Sequence, residues 1–257
     1  MNILLNGICG YMGREVKKLC DANYRGAKLA FGVDPCGNGD VYTSFGSIPS
    51  VDGVDCIIDF SHHSATPALL DFATECKLPL VLCTTGHTDE EILLIHKASC
   101  EIPVFYSGNM SLGIALLIEL AKTTASAFPE ADIEIIEKHH NRKVDAPSGT
   151  ALMIANAIKE VRPELEANCG RNGHGKRNNS EIGIHAIRMG NIVGEHEVII
   201  GTLSQTITLK HEAHDRALFA EGAVAAAGFI VGQDAGLYDM TSLISGDRIG
   251  DTVISAE

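Results

Sequence analysis

The stretch Asn2-Ile3-Leu4-Leu5-Asn6-Gly7-Ile8-Cys9-Gly10-Tyr11-Met12-Gly13-Arg14 decides the fold. Asn2–Asn6 is a short apolar run that reads as a strand. Arg14–Ala22, with Val16, Leu19 and Cys20 at helical spacing, reads as a helix. Three glycines lie between them. One permits the tight turn, one lets backbone approach a pyrophosphate, and one lets helix and strand pack closely. Unpaired N–H groups at the helix start then face the phosphates. The spacing is GxxGxxG, not GxGxxG, so the turn alone also reads as a strand–helix connection with no ligand. Asp34 strengthens the nucleotide reading. It ends the next strand-like run, roughly 20 residues past the turn, where a carboxylate takes adenosine ribose hydroxyls. Pro35-Cys36-Gly37 follows with no base for a 2′-phosphate, which points to NADH in preference to NADPH.

Working outward, Leu29–Asp34, Val54–Phe60, Leu80–Cys83 and Pro103–Tyr106 read as further strands. Pro67–Cys76 and Asp89–Cys100 read as helices. This alternation predicts a Rossmann-type α/β parallel sheet covered on both faces. The pattern then changes. Leu112–Thr123 and Ala151–Glu160 read as helices. Ile133–Glu137, Ile182–Arg188, His196–Ile200 and Gln205–His211 read as strands, and 168–180 as a loop. That is an α+β block with an open mixed sheet. An Ala-rich helix over Phe219–Gly232 packs back on the first block. The expected division is 1–111 plus 218–257 for dinucleotide binding, and 112–217 for substrate binding and oligomerisation.

The chain has 257 residues, enough for two modest domains, and its 45% apolar content argues against disorder. A formal charge of −13 speaks against a nucleic-acid partner, which requires a basic face. No basic leader precedes the first apolar run, and Leu112–Ala121 is too short to span a membrane. Eight scattered cysteines without a CxxC pair read as reduced thiols of a cytoplasmic protein. The acidic balance implies that positive charge is gathered locally wherever an anion binds.

Glu137-Lys138-His139-His140-Asn141-Arg142-Lys143-Val144-Asp145-Ala146-Pro147-Ser148-Gly149-Thr150-Ala151 provides such a place. Two histidines able to move protons near neutral pH end a strand, and a basic turn and a helix start follow. Gly149 and Thr150 present donors there, and Lys143 adds charge. The residues alone also allow blander readings: backbone-bonded histidines, Ser148 or Thr150 as a helix cap, Lys143 as a surface lysine. Adjacent histidines do not readily share one metal ion, and no metal is expected.

The same segment carries E-x-H-H-x-x-K-x-D-A-P-S-G-T-A without a gap, and Glu181–His196 carries E-I-G-I-H-x-x-R-x-G-x-I-V-G-E-H. With Gly7–Arg14 and the tail around Phe219–Ala223, the chain closely resembles the bacterial 4-hydroxy-tetrahydrodipicolinate reductases, also called dihydrodipicolinate reductases. The resemblance implies NADH- or NADPH-dependent reduction of a cyclic dicarboxylate to tetrahydrodipicolinate in diaminopimelate and lysine biosynthesis, by a homotetramer. It implies His139 as proton donor and acceptor, and Lys143 as a second donor. His140, Gly149 and Thr150 would hold substrate. Gly7, Ile8, Cys9, Gly10, Tyr11, Met12, Asp34, Cys83, Thr84, Thr85, Ser107, Gly108, Asn109 and Met110 would hold cofactor. Cys83 stands where the family usually has Gly. A redox sensor that binds NADH without turnover is the rival reading, and the intact His139, Lys143 and Ser148-Gly149-Thr150 argue against it.

Overall fold

The computed structural model describes residues Met1–Gly246. Packing divides the chain into two compact units: Met1–Ser111 together with the segment from Ala217, and Leu112–Arg216. Of the expected return segment 218–257, residues 247–257 lie outside the described part.

The first unit begins with β1 (Asn2–Asn6), α1 (Tyr11–Asp21), β2 (Lys28–Val33), β3 (Val41–Tyr42), β4 (Cys56–Asp59), α2 (Thr66–Glu75), β5 (Leu80–Leu82), α3 (Asp89–Ser99) and β6 (Pro103–Tyr106). The second unit holds α4 (Leu112–Ala127), β7 (Asp132–His139), α5 (Gly149–Val161), β8 (Glu166–Cys169), β9 (Glu181–Arg188), β10 (Gly194–Gly201) and β11 (Thr206–Ala213). The chain then returns through α6 (Ala217–Ile230), β12 (Gly236–Tyr238) and α7 (Met240–Ser245).

The first sheet runs β12-β6-β5-β4-β1-β2-β3, and every pairing in it is parallel. Ile3, Leu4 and Leu5 are all fully buried. Successive residues face opposite sides, so both faces of the sheet are covered, as a parallel sheet requires. The α2 and α3 side packs Leu69, Leu70 and Ile95 on Leu4, Ile57 and Leu80. The other face receives α1 and α6. Helix α6 buries Ala220, Gly222, Ala223, Ala226 and Ala227, and these small side chains permit close approach. A side chain at Gly222 would strike the Met110 carbonyl oxygen. Strand order reverses between β1 and β4, where ligands of open α/β sheets bind.

The second sheet is mixed, in the order β11-β10-β7-β9-β8. Strand β10 is antiparallel to β7 and β11, whereas β9 is parallel to β7 and β8. Ile133, Ile135, Ile182, Ile184, Val198 and Ile200 form one face, packed beneath Ile114, Leu117, Ile154 and Ile158 of α4 and α5. Each such fully buried side chain contributes roughly 1.5–3 kcal/mol. Strands β3, β8 and β12 and helix α7 were not anticipated. They span two to six residues, too few for a hydrophobic period to show. Strand β8 takes Asn168 and Cys169 out of the expected 168–180 loop.

Candidate active site

The glycine turn is shaped by the β1–β4 reversal. Gly7 has φ of +79°, and a Cβ there would lie 2.5 Å from the Phe60 carbonyl oxygen. Only glycine fits both constraints. A side chain at Gly13 would strike the Gly7 carbonyl, so the helix can start this close to the turn only with glycine there. Gly10 caps α1 with no side-chain bond to the helix N–H groups. Those donors suit the diphosphate of a dinucleotide. Asp34 is pinned at the end of β2: its carboxylate accepts the Cys9 N–H at 3.1 Å and the Cys36 N–H at 2.9 Å.

A cleft of about 550 Å3 lies at the C-terminal ends of β4, β5 and β6. Tyr11, Met12, Cys83, Thr84, Thr85, Gly108, Asn109 and Met110 line it, together with Phe60, Ser61, His62, His63 and Phe219. The remaining expected cofactor residues, Gly7, Ile8, Cys9, Gly10, Asp34 and Ser107, do not line it. Ile8 is buried, and its side chain packs where a Cβ of Gly32 would be, so it offers backbone alone. The Thr84 hydroxyl donates to the buried Asp59 carboxylate at 2.5 Å, which also accepts from Asn6 at 2.7 Å and from the Ser61 hydroxyl at 2.6 Å. Asp59 thus ties together the loops after β1, β4 and β5. Burial raises its pKa despite the hydrogen bonds from Ser61, Thr84 and Asn6. Burial also pushes the Cys83 thiol well up, with Asp59 adding to it, so this cysteine is a packing residue. The turn, the open helix start and the cleft fit a nicotinamide dinucleotide.

In the second unit, β7 continues two residues beyond the expected Glu137, and its alternation places Glu137 and His139 on the buried face. Glu137 is 0% exposed. Its carboxylate accepts from His139 Nδ1 at 2.6 Å, from both Arg188 terminal nitrogens at 2.7 and 2.6 Å, and from the Ser148 N–H at 3.0 Å. A carboxylate only accepts, so Nδ1 carries a proton and Nε2 is the nitrogen left to exchange one. Burial by itself would raise the Glu137 pKa. The bonds from Arg188, His139 and Ser148 outweigh it and hold the carboxyl below its ordinary range. Gly194 stands against the ring: a Cβ there would lie 3.1 Å from His139 Nε2. Its missing side chain keeps that nitrogen uncovered.

Ser148 is the helix cap of α5, accepting the Ala151 N–H at 3.2 Å, as one of the blander readings allowed. Gly149 and Thr150 are the first helical residues, and the space a Gly149 side chain would take is open. His140 turns away from His139. Its N–H is bound to the Ile192 carbonyl, while its buried Nδ1 has no hydrogen-bond partner among the described residues. Lys143 pairs with Asp145 at 2.9 Å. The Lys143 ammonium, with help from the Gly149 N–H, holds the Asp145 carboxyl below its usual range. The protein's own carboxylate therefore sits where an anion trap was expected.

The basic residues of the turn and of the 168–180 segment are largely engaged within the protein. Lys138 lies on the opposite sheet face and pairs with Glu195 at 2.8 Å. Arg142 bonds Asn191, and the loop arginines are also engaged: Arg177 with Asp132 and Glu134, Arg171 with Glu181. Lys138, Arg171 and Arg177 are met by acids on strands, Lys143 by Asp145 of its own turn, and Arg142 by an amide oxygen. Glu137, Arg188, Ser148, His196 and Gly194 were not singled out as site residues. The signal was present: Ile133, Ile135, Glu137 and His139 share one phase of β7, and His196 shares the buried phase of β10 with Val198 and Ile200. A polar residue in the apolar phase must be bonded to something.

His196 is such a residue. Its Nε2 meets Ser148 Oγ at 3.2 Å, and its ring lies 5.2 Å from that of His139. Burial, then repulsion from His139, pushes its pKa down to about 4. The unfolded chain binds this proton near pH 6.5, and the folded chain does not until about pH 4. The contribution of neutral His196 is therefore intact above pH 6.5 and is lost as pH falls towards 4, by roughly 3 kcal/mol. Urea unfolding at pH 7.5 and 4.5 checks this. His196→Gln should lose less stability over that range than the parent protein.

A glycine turn built for a dinucleotide, and a histidine backed by a buried carboxylate, place the chain among the nicotinamide-dependent oxidoreductases. Family comparison narrows the class. The description "Dihydrodipicolinate reductase, N-terminus" matches residues 1–110 and "Dihydrodipicolinate reductase, C-terminus" matches residues 113–244. The chain belongs to the dihydrodipicolinate reductase family. It is 44% identical over 250 residues to the 4-hydroxy-tetrahydrodipicolinate reductase of Clostridium tetani, covering 95% of this chain and 97% of that protein. It is 45% identical over 247 residues to the one from Caldanaerobacter subterraneus subsp. tengcongensis, covering 95% and 98%. The fold is similar to that of a dipicolinate-bound dihydrodipicolinate reductase from Paenisporosarcina sp. TG-14. The TM-score is 0.74 at 23% identity, over 93% of this chain and 97% of that one. Among the described residues no helix is long and apolar enough to cross a membrane, and no three His, Cys, Asp or Glu side chains converge as metal ligands.

Proposed function

We propose that this chain reduces 4-hydroxy-tetrahydrodipicolinate to tetrahydrodipicolinate in diaminopimelate and lysine biosynthesis, with His139 and Lys143 as the proton-handling groups. The bond from His139 Nδ1 to the buried Glu137 carboxylate at 2.6 Å carries this reading. It orients the imidazole and commits Nε2 to the exchange of a proton. When bound, the nicotinamide supplies a hydride. His139 then delivers a proton to the charge that develops on the ring system, with Lys143 as a second proton source, and the 4-hydroxyl leaves as water, so that hydride and proton together balance its loss. His140, Gly149 and Thr150 bind and orient the dicarboxylate. Asp145 on Lys143 and the Gly149 N–H supports this, because a carboxylate already suits that place. The substrate displaces it or shares its partners.

The first unit, 1–111 plus 218–257, binds the cofactor. Its contacts are the Gly7–Met12 turn, Asp34, Cys83–Thr85 and Ser107–Met110, with no metal involved. The second unit, 112–217, binds substrate and builds the oligomer. Among the described residues, helices α4 and α5 pack on the other face of this sheet and none covers the face with Glu134, Ile136, Lys138 and Ile199, which supports a homotetramer formed through it. All eight cysteines are free, which supports a reducing, cytoplasmic setting, and the formal charge of −13 supports a reading without a nucleic-acid partner.

Loss of absorbance at 340 nm on mixing the protein with NADH and freshly made substrate tests the function. No loss with either cofactor favours a sensor without turnover. In the same assay kcat/KM with NADH should exceed that with NADPH, because Asp34 repels a 2′-phosphate and Pro35 supplies no counter-charge. A tenfold advantage for NADPH overturns the preference.

A further inference from the structure

We propose that His62 is a cofactor-binding residue that donates from Nε2 to the diphosphate of the dinucleotide, with His63 as its support. The inference rests on the cofactor reading above and concerns residues that reading leaves unused. Both histidines line the cleft, and among the thirteen described residues that do, none is Lys or Arg. A dinucleotide brings two negative charges on its diphosphate. His62 offers them a ring N–H. Position agrees. The Phe60 carbonyl lies directly against Gly7 of the glycine turn, so the 60–63 segment runs alongside the place where the diphosphate meets the start of α1.

The hydrogen bonds set the chemistry. His62 Nδ1 accepts the Ser64 N–H at 3.3 Å and lies 2.9 Å from the Ser64 hydroxyl. A backbone N–H only donates, so the His62 proton resides on Nε2, and the exposed ring presents a donor. His63 is anchored behind it. Its Nδ1 meets both oxygens of Glu91 at 3.0 and 2.9 Å, and its ring centre is 4.3 Å from that of His62. Glu91 is itself fixed in the capping box of α3, where it accepts the Thr88 N–H at 2.8 Å. The donor is therefore held before any ligand arrives, which lowers the entropy cost of binding.

Titration calorimetry of the full chain with NADH, ADP-ribose and ADP tests this. His62→Ala should weaken all three by a similar factor of about ten, the worth of one hydrogen bond to a charged group. His62→Lys, which supplies an N–H donor at the same place, should recover most of the loss. His62 is exposed, so its replacement leaves the core untouched, and an unchanged circular dichroism spectrum checks this. Equal affinities of parent and His62→Ala for all three ligands overturn the proposal while leaving the cofactor reading in place. Weakening of NADH and ADP-ribose but not ADP moves the contact to the nicotinamide ribose and also overturns it. If the parent chain binds none of the three, the cofactor reading itself fails and takes the proposal with it.

Discussion

His139→Gln should lower kcat by about 10²–10⁴-fold, with a much smaller change in KM. Glutamine can keep a hydrogen bond to Glu137, so the buried pocket stays bonded, but it has no proton to give or take near neutral pH. Steady-state kinetics with fresh substrate reads both parameters, and a near-normal kcat removes His139 as the acid. Gly194→Ala provides a second arm that leaves the imidazole intact. Its methyl group would sit 3.1 Å from Nε2, tighter than most packing contacts, and should lower kcat by crowding that nitrogen. Full activity in Gly194→Ala would mean that the working edge of the ring lies elsewhere.

Glu137→Gln should damage both stability and turnover. The Arg188 guanidinium, bonded to both Glu137 oxygens at 2.7 and 2.6 Å, would be left without its counter-charge. Arg188 is only partly buried and keeps its bonds to the Ile187 and Asp145 carbonyls, so the cost is that of a weakened charge-assisted bond, roughly 1.5–3 kcal/mol. The denaturant midpoint reads this. Turnover should fall about 10²–10⁴-fold, since a buried carboxylate that fixes an imidazole tautomer is worth that much elsewhere. The two effects separate in the double variant Glu137→Leu with Arg188→Met. Replacing both charges by apolar groups removes the unpaired guanidinium but still leaves the Ser148 N–H and His139 Nδ1 without their acceptor, so it should recover part of the stability and none of the activity. Recovery of activity along with stability would show Glu137 to be a structural residue alone.

The sequence carries a good deal of this site, and the limit of what it carries is physical. His139, His140, Lys143, Gly149 and Thr150 occupy one contiguous segment, so local order along the chain was enough to group them. Glu137 lies in the same segment but reads as an ordinary strand carboxylate. Its importance depends on Arg188, 51 residues away, and on a strand pairing that sequence spacing does not encode. His196 and Gly194 reach the ring through the β7–β10 ladder, which is just as distant in sequence. Charge is the plainest case. Lys138, Arg142 and Lys143 form a cluster in one dimension, yet alternation sends Lys138 to the other sheet face, and Asp145 claims Lys143.

What the sequence determined by itself was local and periodic. The period-2 and period-3.6 patterns placed the long strands and helices, the three glycines marked a turn that only glycine can make, and the unbroken E-x-H-H-x-x-K run identified the family. Tertiary structure alone decided the strand orders, the pairing of buried Glu137 with Arg188, the neutral His196, and the approach of Phe60 to the glycine turn across the β1–β4 reversal. Each of those depends on groups far apart in the chain and close in space. Their interactions fall off over a few ångströms, a distance that sequence separation does not measure.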